Sequence, residues 1–342
     1  MAPVSRAHFR MNLTGTGDRP LAATVTLHRS RAPEAESEAA VKTLKDLISL
    51  FAMLLFVATA AAGCSGETDD RAGEIVAGAE GRSVLGDMTG AGSLGALLAD
   101  ARVIDLSHAY DENTIYWPTS EGFALETVFK GKTEDGYWYE ANNFSSAEHG
   151  GTHIDAPIHF AAGHQTVDQI PLEKLIGPGI VVDISDRAMA GDEGRDYQIS
   201  IADFQRWETE NDRRIAPGTI VLLQTGYGQW WRDRAKYLGT AERGEAAVAR
   251  LRFPGLHPDA ARWLVTERYI SAVGLDTPSI DFGRSELFEA HRILFAADVP
   301  AFENLAGLEQ LPPADFLVAA LPMKIRGGSG GPLRAVAIVP VR

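Results

Sequence analysis

Several features common in enzymes are missing from this 342-residue chain, and each absence narrows its chemistry. Cysteine occurs once, at Cys64, inside a segment with the layout of an export signal, so no cysteine is available as a catalytic nucleophile. No G-x-S-x-G elbow leads into a predicted helix, which argues against a serine hydrolase. The glycine-rich segment near the C-terminus lacks the Walker spacing and a following Lys-Ser/Thr, so it is not a phosphate-binding loop.

Positive charge is also scarce. The chain has 32 Lys and Arg against 46 Asp and Glu, a formal net charge of −14. This surplus of negative charge argues against nucleic acid or an anionic membrane surface as a partner. No internal repeat is visible. A composition of 45% hydrophobic and 23% charged residues is ordinary for a globular protein.

The N-terminal part of the chain is predicted to be separate from the folded domain. Residues 1–40 lack apolar periodicity and are predicted to be a disordered or non-native leader, which translation starting at Val41 would explain. Residues 41–64 have basic residues, an uncharged apolar run and a small-residue end, the layout of a signal peptide. Cys64 stands where a bacterial lipoprotein signal places its lipidated cysteine. The alternative is a membrane anchor that is retained.

Residues 65–95 are polar and glycine-rich, which predicts a flexible tether ahead of a folded domain at 96–342. The expected location is therefore the periplasm, or the membrane surface if a lipid anchor forms on Cys64. The protein would be cytoplasmic if the N-terminal segment is not a functional signal.

Strand and helix patterns mix throughout the remaining chain, which predicts a mixed α/β class in one domain. Alternating or continuous β-branched runs predict strands, while Ser200 as an N-cap and Pro258 in a first turn mark helix starts. Strands are predicted at 103–107, 123–129, 137–144, 180–184, 219–223, 272–275, 316–321 and 333–339, and helices at 200–211, 258–268 and 286–294. The glycines of Gly327–Gly331 are predicted either to approach a functional site closely or to form a tight hairpin.

The stretch HGGTHIDAPIHF, residues 149–160, concentrates residue types that bind metals. His149, His153, Asp155 and His159 all occupy odd positions, so an extended segment would turn them to one face. The glycines and the proline of the stretch argue against a helix. Imidazole and carboxylate together suit Zn²⁺ or Mn²⁺, and three protein ligands with an open position are typical of a catalytic metal.

This stretch resembles the H-x-G-T-H-x-D-x-P-x-H-F signature of the cyclase family of metal-dependent hydrolases, which includes kynurenine formamidases and isatin hydrolases. The similarity runs from about Val103 to the C-terminus. It implies a β/β/α, swivelling-type arrangement. It also implies that His149, His153 and Asp155 bind a divalent metal, with His159 as the catalytic acid/base.

The same resemblance implies a second metal position. Asp155 would bridge the two ions, and His291 and Glu303, twelve residues apart, would complete the second set. Zn²⁺ is the expected ion, with Mn²⁺ as the alternative. Trp117 is expected to contact an aromatic substrate. The expected assembly is a homo-oligomer, either a dimer or a tetramer.

Three functions remain open from the sequence. The first is an amidohydrolase that cleaves a C–N bond in a small aryl formamide such as N-formylkynurenine. The second is a cyclic amidase of the isatin hydrolase type, and the third is a non-catalytic lipoprotein that binds metal. His159 favours an enzyme, because holding a metal does not require a proton shuttle.

Overall fold

The computed structural model describes residues 100–341. The predicted leader, the signal with Cys64 and the tether at 65–95 lie outside these residues, so those assignments and the lipid anchor stay predictions. Within the described range, none of the helices combines the length and the apolar content that a membrane span requires.

Twelve strands are present in the described part of the chain. They are β1 (Ala101–Asp105), β2 (Ala124–Lys132), β3 (Trp138–Ser145), β4 (His153–Asp155), β5 (Ile176–Asp183), β6 (Gln198–Ile199), β7 (Ile220–Gln224), β8 (Gly255–Leu256), β9 (Ala272–Leu275), β10 (Ala301–Glu303), β11 (Phe316–Pro322) and β12 (Gly330–Pro340).

Seven of these strands close into a barrel. The order is β12, β11, β5, β7, β9, β10 and β4, and β4 pairs back with the start of β12. Strands β5, β7, β9 and β10 run parallel to one another, whereas β4, β11 and β12 pair antiparallel with their neighbours. Strand β1 extends the sheet along the far end of β12. The barrel therefore carries the parallel strand ends, where ligands commonly bind, at one rim.

Seven α-helices are present in the described part of the chain. They are α1 (Ser185–Ala188), α2 (Gly191–Gly194), α3 (Ile201–Glu210), α4 (Arg234–Leu238), α5 (Glu245–Val248), α6 (Pro258–Trp263) and α7 (Glu289–Phe295). Of these, α3, α6 and α7 cover the outer face of the parallel strands. Short 3₁₀ helices occur at Pro157–His159, Val167–Gln169, Leu172–Lys174, Tyr227–Trp230 and Leu308–Gln310, and a π-helical turn, Leu264–Arg268, follows α6.

The continuous apolar run of β7 is explained by burial on both faces. Ile220 and Leu222 pack with residues of β4, β10, β11 and β12 inside the barrel. Val221 and Leu223 pack outward with residues of α3, α6 and α7. Because side chains alternate along a strand, a strand between two cores has no face left for polar residues.

Most predicted elements are confirmed, including the hairpin of β2 and β3 and the helix that carries His291. Ser200 caps α3 in a capping box with Asp203, as expected. Two predictions need correction. The predicted helix at 258–268 changes to π-helical geometry at Leu264. The stretch at 149–160 is extended only over β4, because Pro157 starts a 3₁₀ helix directly after it.

Candidate metal centre

Strand pairing assembles the centre. Strand β4 lies between β10 and β12, and in the register with β10 His153 faces Glu303 while Asp155 faces Ala301. The sheet therefore places residues 150 positions apart in the sequence side by side. This long-range pairing explains how Glu303 reaches the histidine-rich stretch.

The first group of ligand-type residues is His149, His153 and Asp155. Nδ1 of His149 lies 2.6 Å from Oδ1 of Asp155, and Nε2 of His153 lies 3.1 Å from the same oxygen. One ligand atom from each of the three residues falls within 4.8 Å of the others. Two imidazole nitrogens and a carboxylate oxygen therefore converge on one point.

The second group shares Asp155. Nε2 of His291 lies 3.2 Å from Oδ2 of Asp155 and 3.2 Å from Oε1 of Glu303. These three ligand atoms also lie within 4.8 Å of one another. The structure thus brings His291 and Glu303 to the motif, with one oxygen of Asp155 facing each group. Their role as metal ligands stays a prediction.

Burial makes these charges interact strongly. Burial would raise the pKa of Asp155, but the charge and hydrogen bond of His149 and the contacts with His153 and His291 hold it well below its usual range. Burial and the charge of Asp155 together raise the pKa of Glu303. Burial opposes charge on His291, yet its carboxylate partners raise its pKa well above the ordinary value. Positive charge beside these two buried carboxylates therefore favours their ionised forms.

The donor set fits a divalent cation. Asp155 and Glu303 are only 2% and 3% exposed, and buried charges in proteins are paired or coordinate metals. Three imidazoles and two carboxylates suit Zn²⁺ or Mn²⁺. When bound, such an ion supplies Lewis acidity that polarises a carbonyl and lowers the pKa of water.

Outer partners orient the histidines, and the sequence did not reveal them. Asp281 lies 2.5 Å from Nδ1 of His291 and also accepts the backbone N–H groups of Ala290 and His291 at the start of α7. This turns Nε2 of His291 toward the centre, as the carboxylate partner of a metal-binding histidine does. In the sequence, only the position of Asp281 in the loop after β9 points to a role near the centre.

The glycine-rich loop contacts His149. Nε2 of His149 lies 2.9 Å from Oγ of Ser329, whose hydroxyl donates to Glu148 at 2.6 Å. At Gly330 a Cβ atom would lie 2.6 Å from Cε1 of His149. The loop also joins the antiparallel strands β11 and β12. Close approach is therefore seen at Gly330 against His149, while the connection of residues 323–329 is longer than a tight hairpin.

His159 approaches the centre by the turn at Pro157. Its ring stacks on that of His149, with the centroids 3.9 Å apart, and lies 6.3 Å from the ring of His291. Burial lowers the pKa of His159 to about 4, so the imidazole is uncharged at neutral pH and can accept a proton. The geometry is compatible with the predicted acid/base role, which stays a prediction.

A cavity of about 270 Å³ opens above the centre. Trp117 lines it, as expected for a residue that contacts substrate, and its ring lies 6.3 Å from that of Phe288. Phe160, which directly follows His159, also lines the cavity. The cavity is thus lined both by the polar ligand-type residues and by aromatic side chains. His164 lies outside it and pairs with Asp298 at 3.0 Å.

Comparison with known proteins identifies the family. The family model named Cyclase matches residues 104–282. The chain belongs to the cyclase family. It is 28% identical over 263 residues to the isatin hydrolase of Roseibium aggregatum, covering 72% of this chain and 96% of that protein. It is 29% identical over 234 residues to the kynurenine formamidase of Salinibacter ruber, covering 68% of this chain and 96% of the relative.

Solved structures of this family share the fold. Isatin hydrolase A from Labrenzia aggregata, bound to benzyl benzoate, superposes with a TM-score of 0.62 at 31% identity, over 71% of this chain and 95% of that one. The cyclase-like α/β fold is therefore confirmed. These relatives are hydrolases acting on C–N amide bonds, and this cyclase-family chain is a hydrolase of the same kind. The non-catalytic alternative is set aside.

We expect purified protein to hold one or two divalent ions per chain. His149→Ala should weaken metal binding by at least about 100-fold, beyond the ~10–100-fold typical of losing an outer partner, because a direct ligand is removed. The measurement is metal content by elemental analysis after dialysis at graded metal concentrations. His164→Ala is the matched control, since its imidazole also pairs with an aspartate but lies outside the centre. Equal metal content in both variants would contradict the assignment.

Proposed function

We propose that the protein hydrolyses the C–N bond of a small, uncharged aromatic amide, with a cyclic amide such as isatin preferred over N-formylkynurenine. Relatives of both types match the chain about equally well. The preference for a cyclic amide rests on the apolar part of the cavity lining.

One part of the cavity lining is apolar. It is formed by Ile115, Trp117, Phe160, Pro278 and Phe288. Among the described residues that line the cavity, none is Lys or Arg. N-formylkynurenine carries an α-carboxylate and an α-ammonium group, whose burial without a partner is costly. Isatin is flat and uncharged, so an aromatic slot of this size suits it better.

The chain's own residues can move the protons that hydrolysis requires. In the reaction, the oxygen of water bonds to the amide carbon, the C–N bond breaks and the nitrogen gains a proton. His159 is uncharged at neutral pH, so it can take a proton from the attacking water and return it to the leaving nitrogen. Asp155 and Glu303 balance the positive charge of the centre. The aromatic walls orient the ring and exclude water.

We propose Zn²⁺ as the resident ion, with Mn²⁺ as the alternative. Support comes from the two ligand groups, each mixing imidazole nitrogen with carboxylate oxygen. Asp155 would contact both ions if two are bound, because its two oxygens face the two groups. Elemental analysis of protein purified without added metal distinguishes these ions.

The choice of substrate can be tested with three compounds. We expect kcat/KM to be highest for isatin, lower for formanilide and lowest for N-formylkynurenine. Formanilide is the matched control, because it has the formamide of N-formylkynurenine without the charged amino-acid group. If N-formylkynurenine is the fastest substrate, a cation must reach its carboxylate and the proposed preference is wrong.

The role of His159 can be separated from metal binding. His159→Ala should keep its metal and its fold but lose roughly 10²–10⁴ in kcat, the usual contribution of a positioned acid/base. Metal content and kcat are measured on the same preparation. Loss of metal in parallel with activity would make His159 a ligand, and a near-wild-type rate would make it structural.

We further propose that the protein forms a homo-oligomer through the β2–β3 hairpin. In the described part of the chain these two strands pair only with each other, and a lone hairpin is marginally stable. Seven large apolar side chains of the hairpin are exposed, and Trp138 is 61% exposed. Five of them are aromatic, and at ~150–250 Å² per aromatic side chain, about half exposed, these offer roughly 500 Å² per chain over the two faces of the hairpin. Two copies that enclose both faces would bury about 1,000 Å², the lower bound for a specific interface.

Trp138→Lys should shift the assembly toward monomer, because it places a charge within the proposed interface. Light scattering over a range of concentrations measures the mass. Glu134→Lys, at the exposed hairpin turn, is the control for added positive charge and should leave the mass unchanged. A monomeric wild type at all concentrations would contradict the proposal.

A further inference from the structure

Asn304 is a buried residue whose every polar group has a partner. Its backbone N–H donates to the carbonyl of Thr277 at 2.9 Å, and its carbonyl accepts from the hydroxyl of Thr152 at 2.6 Å. Its side-chain nitrogen donates to the carbonyl of Gly151 at 2.7 Å. Its side-chain oxygen accepts from the hydroxyl of Tyr237 at 2.8 Å. Asn304 therefore joins the metal-binding stretch, the loop after β9 and α4.

This pattern determines the orientation of the amide. A carbonyl oxygen only accepts, so the group facing Gly151 must be the amide nitrogen. The amide oxygen then faces the hydroxyl of Tyr237 at 2.8 Å, closer than the carbonyl of Asp276, which the same hydroxyl also reaches at 3.1 Å. In the reverse orientation, the amide oxygen of Asn304 would face the carbonyl oxygen of Gly151, and neither oxygen has a hydrogen to donate. Tyr237 thus holds the amide in the orientation that Gly151 requires.

The carbonyl of Gly151 also orients His153. Nδ1 of His153 lies 2.9 Å from this oxygen and must donate to it. Nε2 then faces the carboxylates, 3.1 Å from Asp155 and 3.4 Å from Glu303, as the nitrogen available to a metal. The same oxygen therefore receives two hydrogen bonds, one from the imidazole and one from Asn304.

The backbone of Asn304 adds a second link. The residue directly follows Glu303 and has a φ of +54°, a conformation that Asn and Gly tolerate better than other residues. Its backbone is bonded directly to Glu303, which belongs to the second ligand group. Its side chain donates a hydrogen bond to the carbonyl of Gly151, which orients His153 of the first group. Asn304 therefore adds a side-chain link between the segments of His153 and Glu303 to the pairing of β4 with β10.

We infer that Asn304, held by Tyr237, is a positioning residue that sets the imidazole of His153 relative to Glu303 for metal binding. The inference rests on the proposed metal centre. It assigns a function to Tyr237, which is fully buried and lines no part of the cavity. Asn304 borders the cavity, but its side-chain amide is engaged by Gly151 and Tyr237.

Three variants test the inference through metal affinity. Asn304→Gly removes the amide while tolerating the positive φ, and Tyr237→Phe removes only the hydroxyl. Tyr227→Phe is the matched control: Tyr227 is fully buried in the same apolar cluster, and within residues 100–341 its hydroxyl has no hydrogen-bond partner. Mn²⁺ is titrated into metal-depleted protein, and free Mn²⁺ is followed by electron paramagnetic resonance.

We expect Asn304→Gly and Tyr237→Phe to weaken Mn²⁺ binding by roughly 10–100-fold, the usual effect of losing an outer partner, and Tyr227→Phe to leave it unchanged. Because Tyr237 acts through Asn304, the double variant should bind no more weakly than Asn304→Gly alone. Wild-type affinity in both single variants, or fully additive losses in the double variant, would overturn the inference. A wild type that binds no Mn²⁺ or Zn²⁺ would overturn the metal centre as well.

Discussion

Two buried carboxylates, Asp155 and Glu303, impose the strongest constraint on this structure. Removing a charge from water is expensive, and these two lie close together with almost no exposure. Three imidazoles surround them, and these contacts lower the pKa of Asp155 and raise the pKa of His291. A divalent ion supplies positive charge beside the two carboxylates with fewer protons on the buried side chains. The barrel, the turn at Pro157 and the outer hydrogen bonds all keep these groups in place.

The barrel supplies the rigidity that such a centre needs. Strand β4 is only three residues long, yet it is paired on both sides and buried throughout. His153 and Asp155 therefore come from a segment with little freedom to move. His291 comes from α7, whose first N–H groups are bound by Asp281. Sites built on regular elements hold their geometry more precisely than sites on loops.

The class of the fold and the local part of the candidate site can be predicted from the sequence. His149, His153, Asp155 and His159 were recognisable because they lie within one short stretch with a regular spacing. The strands of the barrel were recognisable because burial on two faces leaves long apolar runs. Both signals depend on residues that are neighbours in the sequence. The resemblance to a known family, rather than spacing, pointed to His291 and Glu303.

The remaining features depend on contacts between distant residues. Nothing near Asp281 marks it as the partner of His291, and nothing near Asn304 marks it as the partner of Gly151, 153 positions away. Pro157 suggests a bend after β4, but the odd spacing also fits an extended strand, and only the tertiary structure shows where His159 lies. The closure of β4 onto β12 likewise could not be seen from local patterns.

The most direct test of the account is a crystal structure of the metal-loaded protein with anomalous diffraction measured at the Zn and Mn absorption edges. We predict an anomalous peak at coordination distance, about 2.0–2.2 Å for Zn²⁺, from His149, His153 and Asp155. A second ion, if present, would lie beside His291 and Glu303. Density without an anomalous peak among these five side chains, in protein that is active and contains metal, would contradict the account.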